Sequence, residues 1–472
     1  MDISGIKKRL SDPVSILFIT ALFGSILYIS LIYNDNLWVD EAFTASLIRG
    51  SWPEVIRDTV ADTLPPFYNF AGKFLTEIFG YSSLILKLFS CLPMILLIFL
   101  GGRRVFNTFG FRTAYFFELF LLSMPYFFHY AVEIRMYSWG MFSCGMAAVF
   151  FTEIIDGTDS GSVNRSSWAA FTMFTVFSGY IHHFALIASG MMWLIILIYI
   201  TVKKEASLFR SFAVSLMLFL ILYLPCLFLT VKQIQNASSY FSMSPLSFGT
   251  LLSDIRYPFV THITILSAVL LILAFAAAVY SLLKGLSIKG LMLFSVIYLT
   301  LLFGYGVSLA AGKSLFTARY LSPALPVLWL GAAILFDCVI TTFNNNRYMI
   351  TILIALIVIT GTVDYRNAYI SEYAPGVENM KAFFDDNLTP RDGYLIFEDN
   401  YEIELCFRYY YPELKKTDWE NAGNIQGNLW FFETDGFKKE LDKAEKYGYN
   451  PIYIGDFSFD RYSFSLYRLE RA

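Results

Sequence analysis

Two neighbouring carboxylates, Asp40 and Glu41, follow directly after the first long apolar stretch of the sequence. Like charges at close range raise a carboxyl pKa where the dielectric falls, and such a group suits a general base that deprotonates a hydroxyl. A second interpretation is structural, because the macrodipole stabilises acids at a helix amino terminus and Asp40 could cap one. On this segment alone both interpretations stay open.

A third acid in the same connection, Asp62, stands shortly before the paired prolines Pro65 and Pro66. Paired prolines fix the backbone, so they could aim Asp62 at the membrane boundary. The alternative is a rigid turn that only leads the chain into the next helix.

The next charged group lies between the third and fourth apolar stretches and contains Glu133, Arg135 and Tyr137. Ionisable residues at this depth are costly in a membrane and mark function by default. His129 and Glu133 would share a helical face by their four-residue spacing, and Arg135 could hold a phosphate through a forked contact. A Glu133–Arg135 pair that merely positions the turn is the competing interpretation.

Two histidines, His182 and His183, form the turn between the fifth and sixth apolar stretches. Together with Asp40, Glu41 and Glu133 they could bind a divalent metal, because imidazole and carboxylate are its usual ligands. No ligand spacing in the sequence supports that set. Histidines that only form hydrogen bonds at a membrane interface are the alternative.

A late connection supplies two cations and a phenol, Lys313, Arg319 and Tyr320, immediately before the tenth apolar stretch. The cations could neutralise a lipid-linked phosphate. They could equally extend their charges toward lipid head groups with no further role.

These groups are embedded in a chain with the composition of a membrane protein. Of its 472 residues, 56% are hydrophobic and 15% are charged, against about 25% charged residues in soluble proteins. A soluble single-core enzyme, a disordered chain and a collagen-like fibre are excluded, which leaves an all-α polytopic membrane protein. About 20 mostly apolar residues span the hydrocarbon as a helix. Eleven candidate runs, of which the fifth is short, begin near Val14, Ser82, Thr113, Met136, Trp168, Phe184, Ser211, His262, Gly290, Tyr320 and Tyr348.

Basic residues lie at alternate ends of the predicted helices, on the side that the positive-inside rule makes cytoplasmic. They are Lys7, Lys8, Arg9, Arg103, Arg104, Arg112, Arg165, Lys203, Lys204, Arg210, Lys284, Lys289 and Arg347. Eleven crossings then put the amino terminus in the cytoplasm and the carboxy-terminal tail outside, with all the groups described above on the outer face. No block is basic enough to indicate nucleic-acid binding.

The predicted organisation is a transmembrane domain, residues 1–365, followed by a small extracytoplasmic α/β or α+β domain, residues 366–472. Within the first domain, the long outer connection 34–81 shows helical patterns and is a candidate catalytic loop, because long ordered loops often carry function. The tail is acidic, with 13 Lys/Arg against 20 Asp/Glu. Its expected strands are Gly393 to Phe397, Pro451 to Gly455 and Phe464 to Leu469, and its expected helix is Gly436 to Tyr447.

The motifs together resemble those of the GT-C membrane glycosyltransferases. The nearest branch is that of the protein O-mannosyltransferases and the lipid A aminoarabinose transferases, with their bacterial family-39-like relatives. The likeness covers roughly residues 11–364, and the tail has no recognisable relative. The matching residues are Asp40-Glu41, Asp62-x-x-Pro65-Pro66-Phe67-Tyr68, Glu133-Ile-Arg135-Met-Tyr137 and Arg319-Tyr320-Leu-x-Pro323.

This resemblance implies an inverting transfer of a sugar from a polyprenyl-phosphate carrier to a lipid, glycan or protein acceptor outside the cytoplasm. By carry-over, Asp40 resembles the base that deprotonates the acceptor, Arg135 and Arg319 would stabilise the departing phosphate, and Glu133 is the second-loop acid. The protein mannosyltransferases have a histidine where this chain has Leu64, which favours a bacterial-type relative in a bacterial or archaeal plasma membrane.

Two other classes of function remain as alternatives. A transporter or lipid flippase would place ionisable residues near mid-membrane in several helices, whereas here acids inside the apolar runs are few, among them Glu118, Glu153 and Asp337. A non-catalytic scaffold would depend on its tail and tolerate changes at Asp40.

Overall fold

The structure is a computed structural model that describes residues 12–159, 164–204, 206–240, 247–396, 401–433, 441–459 and 462–472. The chain enters its first helix, α1, at Pro13. Asp12 caps this helix by accepting a hydrogen bond from the backbone N–H of Ser15 at 3.2 Å, and Pro13 has no N–H to leave unsatisfied.

Helices make up most of the chain before residue 390. In order they are α1 (Pro13–Ile29), α2 (Val39–Arg49), α3 (Trp52–Ala61), α4 (Phe67–Phe79), α5 (Ser83–Leu96), α6 (Gly102–Phe109), α7 (Phe111–Leu121), α8 (Phe127–Val132), α9 (Tyr137–Asp159), α10 (Arg165–Ile181), α11 (His183–Lys203), α12 (Ala206–Tyr240), α13 (Phe248–Arg256), α14 (Thr264–Lys284), α15 (Ile288–Ala310), α16 (Leu325–Thr342), α17 (Arg347–Glu372) and α18 (Gly376–Asn387). A π-helical turn, Leu97–Gly101, joins α5 to α6, and a 3₁₀ segment, Ala318–Ala324, leads into α16.

Eight helical stretches in the described part of the chain are long and apolar enough to cross a membrane, so the chain is an integral membrane protein. Eight of the eleven expected spans match them. The other three are helical but shorter: α1 and α10 have 17 residues each, and α7 has 11. The total of eleven spans therefore stays a prediction.

The first outer connection folds into three short helices, as its pattern predicted for the first two. Both α2 and α3 begin with the same capping contact, in which the acid three residues into the helix accepts the backbone N–H of the cap residue. In α3 this acid is Glu54, which accepts the N–H of Ser51 at 2.8 Å. Capping thus fixes where each of these two helices starts.

The carboxy-terminal part of the chain contains a five-stranded sheet. Its strands are β1 (Gly393–Ile396), β2 (Lys415–Lys416), β3 (Leu429–Glu433), β4 (Tyr449–Phe459) and β5 (Tyr462–Arg471), and they lie in the order β2-β1-β3-β5-β4. β1 pairs in parallel with β2 and β3, and β5 pairs antiparallel with β3 and β4. The helices α19 (Tyr401–Tyr410) and α20 (Leu441–Lys446) complete this part. The small mixed domain expected from the sequence is present.

The three expected strands correspond to β1, β4 and β5, although β4 and β5 are longer than predicted and Phe397 lies outside the described residues. The expected helix Gly436 to Tyr447 begins outside the described residues and is seen as α20. The sequence did not predict β3 or α19. The proposed division at residue 365 stays a prediction; α17 itself continues to Glu372.

Contacts with the first outer connection hold the carboxy-terminal part in place. The buried Lys87 of α5 donates to Asn34 and to Glu372 at the end of α17, both at 2.6 Å. Further along, the Tyr410 hydroxyl of α19 donates to the Asp35 carbonyl at 2.6 Å and accepts the Leu37 N–H at 3.2 Å. The segment that enters α2 is therefore in contact with the end of α17 through Lys87 and with α19 through Tyr410.

Candidate active site

An ion pair between distant parts of the chain forms the centre of the site. Asp40 lies in the first turn of α2, and Arg319 opens the 3₁₀ segment before α16. Nη1 of Arg319 donates to Oδ2 of Asp40 at 2.9 Å. The side chains are 33% and 26% exposed for Arg319 and Asp40 respectively, so a substrate can reach both.

A second guanidinium lies against the same turn of α2. Arg135 is buried, and its Nη1 donates to Oγ1 of Thr44 at 2.8 Å and lies 3.4 Å from the backbone carbonyl of Asp40. Its Nε is buried with no hydrogen-bond partner among the described residues. Thus part of the donor set of Arg135 is left unused by the protein, which is the state expected of a group that awaits an anion.

Glu133 supports this centre through an aromatic ring. It is 1% exposed, and its Oε1 accepts the indole N–H of Trp38 at 2.9 Å. The guanidinium carbon of Arg319 lies 5.4 Å from the centre of that same ring, within cation–π range. Burial raises the pKa of Glu133 to about 8, although Arg135 opposes the shift.

The expectation that Glu133 shares a helical face with His129 is wrong. The helix α8 ends at Val132, and Glu133 already has an extended backbone with φ −60° and ψ 132°. Because the chain leaves the helix there, Glu133 can turn toward Trp38 and Arg135 can turn toward α2.

Glu41 differs sharply from its neighbour Asp40. It is 4% exposed, and its two carboxyl oxygens accept the backbone N–H groups of Ile134 at 2.7 Å and Trp38 at 3.3 Å. Burial raises the pKa of Glu41 to about 8. The two interpretations of the acidic pair therefore apply to different residues. Glu41 caps α2 and links it to the segment that contains Ile134. Asp40 lies on the accessible side.

Asp62 ends α3 beside the centre. Its Oδ1 accepts the backbone N–H of Thr63 at 2.7 Å. Burial raises the pKa of Asp62, and the positive charge of Arg135 opposes that rise. Asp62 therefore lies within electrostatic range of Arg135.

Aromatic groups form one wall of the site. The ring of His182 lies 5.6 Å from that of Tyr137 and 5.5 Å from that of Tyr320. Nδ1 of His182 accepts the backbone N–H of Phe184 at 3.0 Å, while its Nε2 is buried with no partner among the described residues. Burial lowers the pKa of His182 far below its ordinary value. His182 is therefore a neutral imidazole at neutral pH.

An apolar cavity of about 350 Å³ opens beside this wall. His182, His183 and Tyr320 line one end of it, and the side chains along the rest are mostly hydrophobic: Leu64, Phe184, Leu186, Ile187, Phe303, Val307 and Leu315. Since Tyr320 follows Arg319 directly, the polar centre and the apolar cavity adjoin. A ligand with a charged head and a hydrocarbon tail matches this division.

Lys313 lies in the turn after α15, where its backbone N–H donates to the Ser308 carbonyl at 3.2 Å. The contacts and the cavity described above connect the other predicted site residues to one another.

The five residues considered for a metal do not form a ligand set. Asp40 is paired with Arg319, Glu41 accepts two backbone N–H groups, and Nε2 of His183 lies 3.1 Å from the Thr63 carbonyl. Across the described ranges there is no group of three or more His, Cys, Asp or Glu side chains that could hold a metal ion.

Sequence reasoning did not assign Trp38, Thr44 or Asp364 to the site. Asp364 of α17 is half-buried and lies near the backbone N–H groups of Tyr126 and Phe128, at the start of α8. Tyr126 has a left-handed backbone with φ 73°, which is costly for a residue with a side chain. An acid near the end of an otherwise apolar run was the available signal for Asp364.

No protein-family model matches the sequence, and comparison with curated proteins finds no match either. Solved structures do match. ArnT from Cupriavidus metallidurans matches in the apo state with a TM-score of 0.59 and bound to undecaprenyl phosphate with a TM-score of 0.57. Each match has 13% sequence identity and covers 96% of this chain and 97% of that chain.

An archaeal structure is also similar. The Archaeoglobus fulgidus oligosaccharyltransferase, in complex with Zn and sulfate, matches with a TM-score of 0.51 at 14% identity, covering 93% of this chain and 72% of that chain. Because the ArnT alignments cover 96% of this chain, they extend through most of residues 366–472, for which the sequence offered no relative. The predicted resemblance is confirmed at the level of the fold: the chain has the architecture of the GT-C membrane glycosyltransferases.

Proposed function

We propose that this protein is an inverting glycosyltransferase that moves a sugar from a polyprenyl-phosphate carrier to an acceptor on the extracytoplasmic side of the membrane. The observation that carries the proposal is the accessible Asp40–Arg319 pair, 2.9 Å apart, next to an apolar cavity that is lined by Tyr320, the residue after Arg319. The similar fold of ArnT, which has been solved with undecaprenyl phosphate, supports the same class of donor.

The donor phosphate would lie between Arg319 and Arg135. Guanidinium groups form forked, charge-assisted hydrogen bonds with phosphate oxygens, and the Nε of Arg135 has no partner within the described chain. The polyprenyl chain would enter the apolar cavity beside Tyr320. In this pose the bond between sugar and phosphate lies at the boundary between the polar and apolar regions.

Transfer would then take place in one displacement. The acceptor oxygen attacks the anomeric carbon, the carbon–oxygen bond to the phosphate breaks, and the lipid phosphate leaves with the bonding electrons. Asp40 accepts the proton of the acceptor hydroxyl. Arg319 and Arg135 stabilise the negative charge that develops on the departing phosphate. A single displacement inverts the anomeric configuration.

The Asp40–Arg319 pair couples donor binding to this step. The donor is a phosphodiester with one negative charge, and its oxygens compete with Asp40 for the guanidinium of Arg319. When the donor binds, the carboxylate of Asp40 is released to bind the acceptor hydroxyl. Glu133 acts through Trp38, whose ring supports Arg319. Glu41 acts by holding the start of α2 against Ile134.

The orientation assigned to the protein follows from its basic residues. We place the amino terminus in the cytoplasm, and the site and the carboxy-terminal domain outside, in a bacterial or archaeal plasma membrane. Nucleotide sugars do not reach that face, so a lipid carrier must supply the sugar there. Lipid, glycan and protein acceptors all fit an open site of this kind.

The test is sugar transfer by purified protein in lipid nanodiscs, using a polyprenyl-phosphate sugar and an acceptor found by mass analysis of envelope glycans in a deletion strain. We expect Asp40→Asn to lower turnover by at least about 10³-fold because the base is lost, while donor binding is retained. The matched control is Asp58→Asn, an exposed acid of α3 paired with Arg57, which should keep full activity.

Two results would contradict the proposal. Full activity of folded Asp40→Asn would remove the assigned base. Counterflow of the lipid-linked sugar across liposomes, with no glycosidic bond formed, would establish transport or flipping as the function.

A further inference from the structure

A second cavity, of about 270 Å³, lies on the flank of the bundle between α1, the π-helical turn with α6, and α7. It is far from Asp40. Lys87 contacts Asn34, close to the start of α2, and so marks the Asp40 end of its helix. Arg103, which lines the cavity, follows Lys87 by 16 residues along the same helical stretch, or roughly 24 Å at 1.5 Å per residue. Phe18 at its rim is 57% exposed, so the cavity opens toward the surrounding lipid.

One acid is buried in its wall. Glu118 is 2% exposed, and its Oε2 has no hydrogen-bond partner within the described ranges. The carboxyl lies against Gly102, where an added Cβ would be 2.4 Å from Oε1. Only a glycine leaves room for the acid at this position. A buried carboxyl with an unpaired oxygen is costly in a membrane, so its presence calls for a ligand with a hydrogen-bond donor.

A cation lines the same cavity. Arg103 is exposed, and none of the ion pairs found among the described residues involves it, although its neighbour Arg104 pairs with Glu153 at 2.8 Å. The remaining lining is hydrophobic, with Leu17, Phe99 and Phe106 among its members. One carboxyl group and one cation therefore share an apolar cavity that opens to lipid.

We propose that this cavity binds one phospholipid whose head group carries both a primary ammonium and a phosphate. The ammonium donates to Glu118, the phosphate accepts from Arg103, and the acyl chains follow the hydrophobic lining into the bilayer. A quaternary ammonium has no N–H to donate, and a glycerol head group has no positive charge to pair with the acid. The ligand class is thus an ethanolamine-type phospholipid. This site is independent of the proposed transfer reaction.

The experiment measures lipid affinity of the full-length purified protein by native mass spectrometry. The probes are phosphatidylethanolamine, phosphatidylcholine and phosphatidylglycerol with identical acyl chains. We expect the parent protein to bind phosphatidylethanolamine about tenfold more tightly than the other two lipids. Glu118→Gln should remove this preference, and Arg103→Ala should weaken the binding of all three lipids.

Two control variants leave the cavity intact. Glu77→Gln changes a partly exposed acid of α4, and Arg347→Ala removes an exposed cation at the start of α17; both should bind like the parent. Gly102→Ala provides a second test that keeps the acid, because its methyl group displaces the Glu118 carboxyl, and it should also lose the preference.

Equal affinity of the parent for the three lipids would overturn the proposal and leave a cavity that takes acyl chains only. An unchanged preference in both Glu118→Gln and Gly102→Ala would overturn the role of Glu118. Because neither readout uses sugar transfer, failure here is distinct from failure of the proposed enzyme function.

Discussion

At the end of the bundle that carries Asp40, charged side chains are buried and several of their polar atoms have no partner in the described chain, among them Oε2 of Glu133 and Nε of Arg135. At the opposite end, apart from Glu118 and Arg103 in the lipid-facing cavity, four pairs of charges form partly exposed ion pairs. These are Arg104–Glu153, Arg112–Asp337, Lys203–Asp159 and Lys289–Asp156. Buried charges without full compensation are costly, whereas exposed pairs cost little and contribute little.

The difference indicates which of these charged groups need a ligand to explain them. Exposed pairs between neighbouring helices need no ligand to explain them. A buried glutamate, an arginine with an unused donor and a neutral histidine in contact with two tyrosines are instead typical of a binding site. Variants at matched positions of the two ends can therefore test the comparison directly.

Among the variants that compare the two ends of the bundle, the largest effect is expected at Arg135. Arg135→Ala removes a phosphate-binding donor and leaves Asp62 and Glu133 without their nearest cation, so kcat should fall by about 10²–10³-fold. Arg135→Lys keeps the charge but loses the fork, and its activity should lie between those of the parent and the alanine variant. The measurement is single-turnover sugar transfer with saturating donor.

The control for this variant lies at the other end of the bundle. Arg112 is paired with Asp337 and is partly exposed. Arg112→Ala should retain activity within a factor of about two. An equal loss of kcat in both variants would mean that the effect comes from the fold and not from the site.

The second prediction concerns pH. The pKa of Glu133 is raised by burial from 4.5 to about 8, so the folded protein keeps a proton that the unfolded chain releases between these values. The free energy of unfolding should therefore fall as pH rises through this window, by up to ~1.4 kcal/mol per pH unit for one such group. Glu41 acts in the same direction. Below pH 4.5 this contribution is fully present.

Glu133→Gln should flatten the decline of the melting temperature between pH 5.5 and 7.5, because the amide has no proton to lose. Thermal unfolding of detergent-purified protein at several pH values provides the measurement. Glu54→Gln, at an exposed acid that caps α3, is the matched control and should keep the parent slope. A parent melting temperature that rises with pH across this window would contradict the assignment.

The burial and pairing of the site residues are what the sequence could not predict. The acids and arginines were recognisable by type and by their position after apolar runs, and the apolar period located the long helices. The sequence could not say which of Asp40 and Glu41 faces the substrate, because one residue along a helix rotates the side chain by about 100° and only the packed partner decides the outcome. Trp38 was recognisable as an interface aromatic, but not as the link between Glu133 and Arg319.

Short elements were harder to predict for a related reason. β3 has five residues, all buried, so it shows no alternation that would distinguish a strand. α7 and α8 lie within what reads as a single apolar run, and the break between them lies beside Asp364 of α17. Such long-range contacts leave no periodic signal in the sequence.

A smaller effect on activity is expected where the carboxy-terminal part of the chain contacts the segment that enters α2. Tyr410→Phe removes the hydroxyl that bridges the Asp35 carbonyl and the Leu37 N–H, which loses two hydrogen bonds at about 1–3 kcal/mol for a buried group left unpaired. We expect a lower melting temperature and a three- to tenfold lower kcat with an unchanged KM for donor. Tyr453→Phe, at an exposed position of β4, should change neither quantity.

The smallest effect is expected at Lys203, and it tests the other half of the comparison. Lys203 pairs with Asp159 at 3.1 Å, with side chains 45% and 42% exposed, so solvent screens the pair and its contribution is in the range of about 0–1 kcal/mol. Lys203→Ala should leave kcat unchanged and move the melting temperature by no more than about 2 °C at low salt, with no difference at high salt. A large loss of activity would show that charges at this end are coupled to the site through α11, whose first residue is His183, and the functional division between the two ends of the bundle would then fail.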